Sequence, residues 1–152
     1  MLRELIANSG YAAVATFTAD VDMVQGMVVV KSGTEAVLPT VGAGDLFFVT
    51  KERIPTGLLS LKGDLSDYID DYENIKAGEF VKLEKYHVGD IVATNQITGT
   101  PAAGTYLIAA IDGTLTAQTA NTTSNMVCRG TYDDAGHTLY KVEIVEPKTV
   151  TE

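Results

Sequence analysis

The sequence predicts a mainly β protein: a small β-barrel or β-sandwich with several hairpins and at most one short helix. Val, Thr and Ala dominate, Trp is absent, and fourteen glycines serve tight turns. Turn signals recur at about the 8–12-residue spacing of sandwiches and barrels, separating roughly ten short strand-like segments. Apolar residues alternate or form short runs, with no heptad pattern. A chain of 152 residues favours one domain, or two small β modules.

The start, MLRELIANS, places Leu2, Leu5 and Ile6 at helical spacing, on a segment too short for a stable helix alone. It reads as an arm, running with the first strand to residue 20. YAAVATFTA (11–19) is a strand, and GMVVVK (26–31) is a buried strand behind a glycine. SGT (32–34) turns the chain into EAVLP, a returning strand stopped by Pro39. GDLFFVTKE (44–52) is the next strand. In DLSDYIDDYENI (64–75), Leu65, Tyr68, Ile69, Tyr72 and Ile75 share one helical face, which predicts the short helix. An extended, acid-decorated connection is the rival there, and residues 63–74 are the seam if the chain divides in two.

EFVKLEKY and IVATNQI are strands entered through Gly78 and Gly89, with Phe80 half-exposed. TYLIAAIDGTLTAQT is a hairpin whose Asp112-Gly113 predicts a type I′ turn. ANTTSN (120–125) reads as a polar loop. MVCRGTYDDAGHTLYKVEIVE (126–146) is a second hairpin turning at 133–136, with His137 opposite about residue 132. The tail 147–152 is polar and frays. Gly-Glu-Phe-Val (78–81) and Gly-Asp-Ile-Val (89–92) repeat one phrase, and Gly-Asp-Leu-Phe (44–47) writes it a third time. The glycine allows a turn with positive φ, the acid stays wet at the strand mouth, and the apolar-x-apolar that follows goes inside.

A net charge of −9 and pI near 4.6 disfavour nucleic acid and anionic membrane surfaces as partners. Cys128 is the single cysteine, so no internal disulfide forms. No segment has the apolar core of a signal peptide or the length of a membrane span.

The residues predict no enzyme and no cofactor. On the expected hairpin, Cys128 and His137 stand over about 10 Å apart, too far for a nucleophile–base pair, and nothing local brings His87 to either. Asp64, Asp67, Asp70, Asp71 and Glu73 cluster without EF-hand spacing or its glycine, and read as a solvated acidic face. No phosphate-binding glycine loop is present, and Asn121-Thr122-Thr123 is a chance sequon. Tyr68, Tyr72, Tyr86, Tyr106, Tyr132 and Tyr140 are the aromatics a glycan site would draw on; as a group they read as core edges with wet hydroxyls.

Four phrases, GMVVVKSGTEAVLPT (26–40), DLFFVTKERIPTGL (45–58), SDYIDDYENIKAGEFVKLEKYHVGDIVATNQI (66–97) and GTYDDAGHTLYKVEIVE (130–146), resemble small capsid decoration, or cement, proteins of tailed bacteriophages. The resemblance rests on order and phrasing across about 20–146. It implies a β-rich structural virion protein, its decoration domain spanning 21–146. Such a protein sits on the outer surface of an expanded icosahedral capsid, binds the major capsid protein and stabilises the shell. It is often a homo-oligomer, with a trimer favoured, and is assembled in the host bacterial cytoplasm. It brings no catalytic residues. Within that frame, the apolar arm residues Leu2, Leu5, Ile6 and Tyr11 are candidate capsid or inter-subunit contacts. The acidic stretch 64–73 faces solvent or a basic shell patch. The alternative is a receptor- or glycan-binding module on the virion surface.

Overall fold

In a computed structural model the described residues are 1–7, 12–51 and 73–151, with the backbone alone for 12–16. They form thirteen strands: β1 Leu2–Ile6, β2 Ala12–Ala19, β3 Met23–Val24, β4 Val28–Ser32, β5 Glu35–Val37, β6 Phe47–Lys51, β7 Asn74–Ile75, β8 Phe80–Lys85, β9 Ile91–Thr94, β10 Tyr106–Ala109, β11 Leu115–Ala117, β12 Thr122–Asp134 and β13 His137–Val150. The chain is mainly β and contains a small closed barrel. The barrel runs β2-β5-β4-β6-β8 back to β2; all its pairs are antiparallel except β2–β5. A six-stranded sheet runs β1-β9-β13-β12-β10-β11, and β3 pairs with β7.

The apolar runs explain how barrel and sheet meet. In Val28-Val29 and Phe47-Phe48, successive side chains point to opposite faces. Val29 and Phe47 go into the barrel with Val49, Val81 and Leu83, whereas Val28 and Phe48 face the sheet and pack with Val92, Leu107, Met126 and Val142. A strand buried on both faces reads as a continuous apolar run. The Lys31 ammonium lies 4.1 Å from the Phe47 ring centre and 5.2 Å from that of Phe17, so its charge stays wet over a closed apolar end.

Several sequence expectations are corrected. Residues 2–6 are a strand, not a helical segment: Leu2 pairs with Thr94 and Glu4 with Val92. Ile75, placed on a helical face, is in β7 opposite Met23, so any helix ends before Asn74; residues 64–72 lie outside the described residues. The 120–125 loop and the frayed tail pair with each other, Thr122 with Val150 and Ser124 with Lys148. Pro147, which lacks an N–H, falls where the ladder shifts register between Ser124 and Met126. Ser124 holds that shift, its buried hydroxyl donating to Leu107 O and accepting from Met126 N.

The type I′ turn expected at Asp112-Gly113 occurs instead in the second hairpin. At β10–β11 positive φ falls on Gly113 alone, and Gly113 N donates to Ala110 O, as in a type I turn followed by a glycine bulge. Asp112 accepts from the Thr114 N–H and hydroxyl, which holds its carboxyl below the usual range. The two successive positive φ values of a type I′ turn occur at Ala135 (52°) and Gly136 (89°), so His137 pairs with Asp134 rather than near 132.

Gly78 and Gly89 take positive φ, as the repeated phrase requires, while Gly44 does not. Glu79 is wet. Asp90 is fully buried, because its carboxylate accepts the His87 N–H at 2.8 Å and staples its own turn.

Candidate functional site

The seam between β1 and the barrel holds a cluster of polar side chains. Strand alternation puts Glu4 of β1, which is exposed, on the same face as Leu2, toward the buried Tyr86 just after β8. Glu84 is 3% exposed on the outer barrel wall. The Tyr86 hydroxyl lies 2.7 Å from Glu84 Oε2 and 3.0 Å from Glu4 Oε1. The other Glu84 oxygen pairs with Lys82 Nζ at 2.6 Å. Burial, then the two carboxylates, push the Tyr86 phenol far above its ordinary range, so it remains a donor. Its ring meets Phe48 edge-on at 5.6 Å between centres. An open cleft of about 370 Å³ borders this cluster, lined by Leu2, Arg3, Glu4, Gln25, Thr50, Lys51, Lys82 and Glu84. The arrangement binds the sheet to the barrel through hydrogen bonds and charge.

The amino terminus closes the same seam. Its ammonium donates to Gln25 O at 2.6 Å and Asn95 Oδ1 at 2.7 Å, and pairs with Glu73 Oε1 at 2.6 Å. Burial lowers its pKa; the Glu73 hydrogen bond and charge pull the other way. Just above it, Gly26 approaches so closely that an added Cβ would stand 2.5 Å from both Met1 O and Thr94 Oγ1.

The candidate contact residues do not act as one set. Leu2 is 6% exposed and packs in the core between sheet and barrel. Leu5 is half-buried against Met1, Ala93 and Leu139. Ile6, opposite Ile91 on an edge strand, stands 45% exposed and is the one of the described three open to a partner. Tyr11 lies outside the described residues.

Cys128 is buried, with its thiol near Pro101 O, and pairs across the ladder with Val142, five residues along from His137. The two are not brought together. Glu73 is the one described member of the 64–73 acidic cluster, and it serves the amino terminus. Among the described residues no three His, Cys, Asp or Glu side chains are grouped to hold a metal ion, and no helix is long and apolar enough to cross a membrane. Of the tyrosines considered for a glycan site, Tyr86 is buried and Tyr132 and Tyr140 pack against cores; Tyr106 is half-buried with Lys148 over its ring.

Sequence reading missed the Glu4–Tyr86–Glu84 seam. The available signal was a Glu-x-Tyr at a strand end, where alternation puts both side chains on one face. Its partner, Glu4, is eighty residues away. No family model, curated protein or solved structure matches this chain.

Proposed function

We propose that this protein is a structural virion component, a decoration subunit that binds the outer surface of an expanded icosahedral phage capsid and stabilises it. The reading rests on the resemblance of residues 20–146 to that family. One structural observation supports it: the resembling phrases fall on both layers, with 26–40 in the barrel and 130–146 in the sheet, and the part-buried Tyr86–Glu4 hydrogen bond joins the two. A protein stapled in this way presents a rigid surface, which keeps the ordering cost of binding low. A stable joint buries roughly 1,600 Å² in total, and many copies on one shell add avidity. The major capsid protein is the partner in this reading, with homotrimers at symmetry axes as the favoured arrangement.

The test is co-sedimentation of the purified protein with expanded shells that lack it, over a salt series. Saturation at a fixed number of copies per shell is expected. A folded protein that stays in the supernatant at every salt concentration overturns the proposal. Ile6→Ser probes the edge-strand contact and is expected to weaken shell binding while leaving the melting temperature within a few degrees.

A further inference from the structure

The chain has four phenylalanines. Phe17, Phe47 and Phe48 belong to the cores, but Phe80 is 61% exposed on the outer wall of the barrel. Register places it in a defined row: Phe80 pairs with Thr18, Thr18 with Glu35, and Glu35 with Ser32. Residues directly opposite on adjacent strands share a face about 4.8 Å apart, so an aromatic ring and a carboxylate flank one threonine. The backbone brings further acids to this end of the barrel. Ala19 N donates to Glu79 O, and Asp20 N to Ala36 O, which sets Asp20 and Glu79 beside the row. Val21, 36% exposed, adds a second apolar side chain next to Asp20.

The local charge is one-sided. Lys76 pairs with Asp22 at 2.9 Å, and this ammonium with the Ala77 N–H holds the Asp22 carboxyl below its usual range. Among the described residues no cation pairs with Asp20, Glu35 or Glu79. Lys31 of β4 is turned over the Phe17 and Phe47 rings, and Lys82, two residues along β8 on the same face as Phe80, pairs with Glu84 at 2.6 Å. The chain's own connecting residues 52–72 carry five acids, Glu52, Asp64, Asp67, Asp70 and Asp71, against Arg53 and Lys62, so like charge argues against self-occupancy.

We infer that the Phe80–Thr18–Glu35 row is a docking surface for a basic protein segment carrying an apolar side chain, with Phe80 as the anchor and Asp20, Glu35 and Glu79 as the charge complement. An aromatic that water already touches gains when covered, and a rim of carboxylates selects Lys or Arg over acidic partners. The inference concerns the chemistry of the partner and stands whether or not that partner is a capsid shell.

The experiment uses the full chain, isotope-labelled, and three capped peptides as probes: Lys-Lys-Leu-Phe-Lys-Lys, Lys-Lys-Gly-Ser-Lys-Lys and Glu-Glu-Leu-Phe-Glu-Glu. The first is expected to shift amide resonances of residues 18–22, 33–36 and 77–81 and to bind at least about fivefold more tightly than the others, as anchor and charge together require. Phe80→Thr keeps strand preference and is expected to cut that affinity about fivefold, with amide dispersion retained. Asp20→Asn with Glu35→Gln is expected to flatten the salt dependence. Equal binding of the first two peptides, shifts spread over remote carboxylates such as Asp112 and Glu146, or an unchanged affinity in Phe80→Thr overturns the assignment. So does a Phe80→Thr response that maps to residues 52–72, which would make the chain itself the occupant.

Discussion

Gly26→Ala tests whether the amino terminus is as tightly docked as its contacts imply. Gly26 takes φ of 96°, and its N–H donates to Val49 O at 2.8 Å. Its carbonyl accepts from the Thr94 hydroxyl at 3.1 Å. An alanine pays twice there. Holding a non-glycine residue at such a φ costs about 1–3 kcal/mol. The new Cβ also stands 2.5 Å from the backbone oxygen of Met1 and from Thr94 Oγ1, and forcing them apart in a packed layer costs about another 1–3 kcal/mol. Gly78→Ala is the matched control: its φ is 84°, and nothing lies within 4 Å of an added Cβ, so it pays only the first part. Urea unfolding of the wild type and both variants, with a common slope, gives the two losses. The expected result is about 2–6 kcal/mol for Gly26→Ala against about 1–3 for Gly78→Ala. Equal losses would refute the close approach of the first residue to the barrel.

Tyr86→Phe removes the donor between two carboxylates and leaves buried Glu84 short of a partner, so a loss of about 1–3 kcal/mol is expected in the same assay. The raised Tyr86 pKa means that its contribution is fully present below the unfolded value near pH 10 and falls as pH rises above it, because only the unfolded chain then releases the proton. The difference in absorbance titration at 295 nm between wild type and Tyr86→Phe is therefore expected to show Tyr86 ionising only on unfolding; its ionisation in the folded protein near pH 10 would contradict its burial. The lowered pKa of the Met1 ammonium has the opposite sign: between that value and 8.0 the unfolded chain binds more protons, so this group's share of stability rises with pH. Glu73→Gln is expected to cost on the order of 2 kcal/mol at pH 7 by leaving the buried ammonium without its anion, and no loss would show that the pair is solvent-screened. Ala135→Asn, at a turn position with φ of 52°, is expected to raise stability by about 0.5–1 kcal/mol, read as a higher melting temperature.

The barrel was legible because its information is local. Val28-Val29 and Phe47-Phe48 announce strands buried on both faces, and Gly78 and Gly89 announce their turns. The ends of the sheet were not legible, since Thr122–Ser124 and Lys148–Val150 are polar segments that become strands only by finding each other. Polarity there reports solvent on the outer side of a two-stranded ribbon, not the absence of structure. The turn at Asp112-Gly113 was placed correctly and typed wrongly, because aspartate there bonds its own loop instead of adopting positive φ. The docking row was hidden for the reason the seam was: Phe80 and Glu35 are distant in sequence and become neighbours only through Thr18. Whether an acid stays wet, as Glu79 does, or is sealed, as Asp90 is, depends on the layer that later covers it.

The order of strands carries a last consequence. β1 precedes every barrel strand in the chain, yet it belongs to the sheet, where its partner β9 comes after all five. On the ribosome β1 must wait, unpaired, until roughly ninety more residues have emerged, at a synthesis rate of about 5–20 residues per second. The barrel strands all lie within residues 12–85 and pair only with one another, so it is the sheet, not the barrel, whose first strand waits for a partner made later. The β1–β9 pairing is thereby a late step of high contact order, and it is the sheet edge that this step completes.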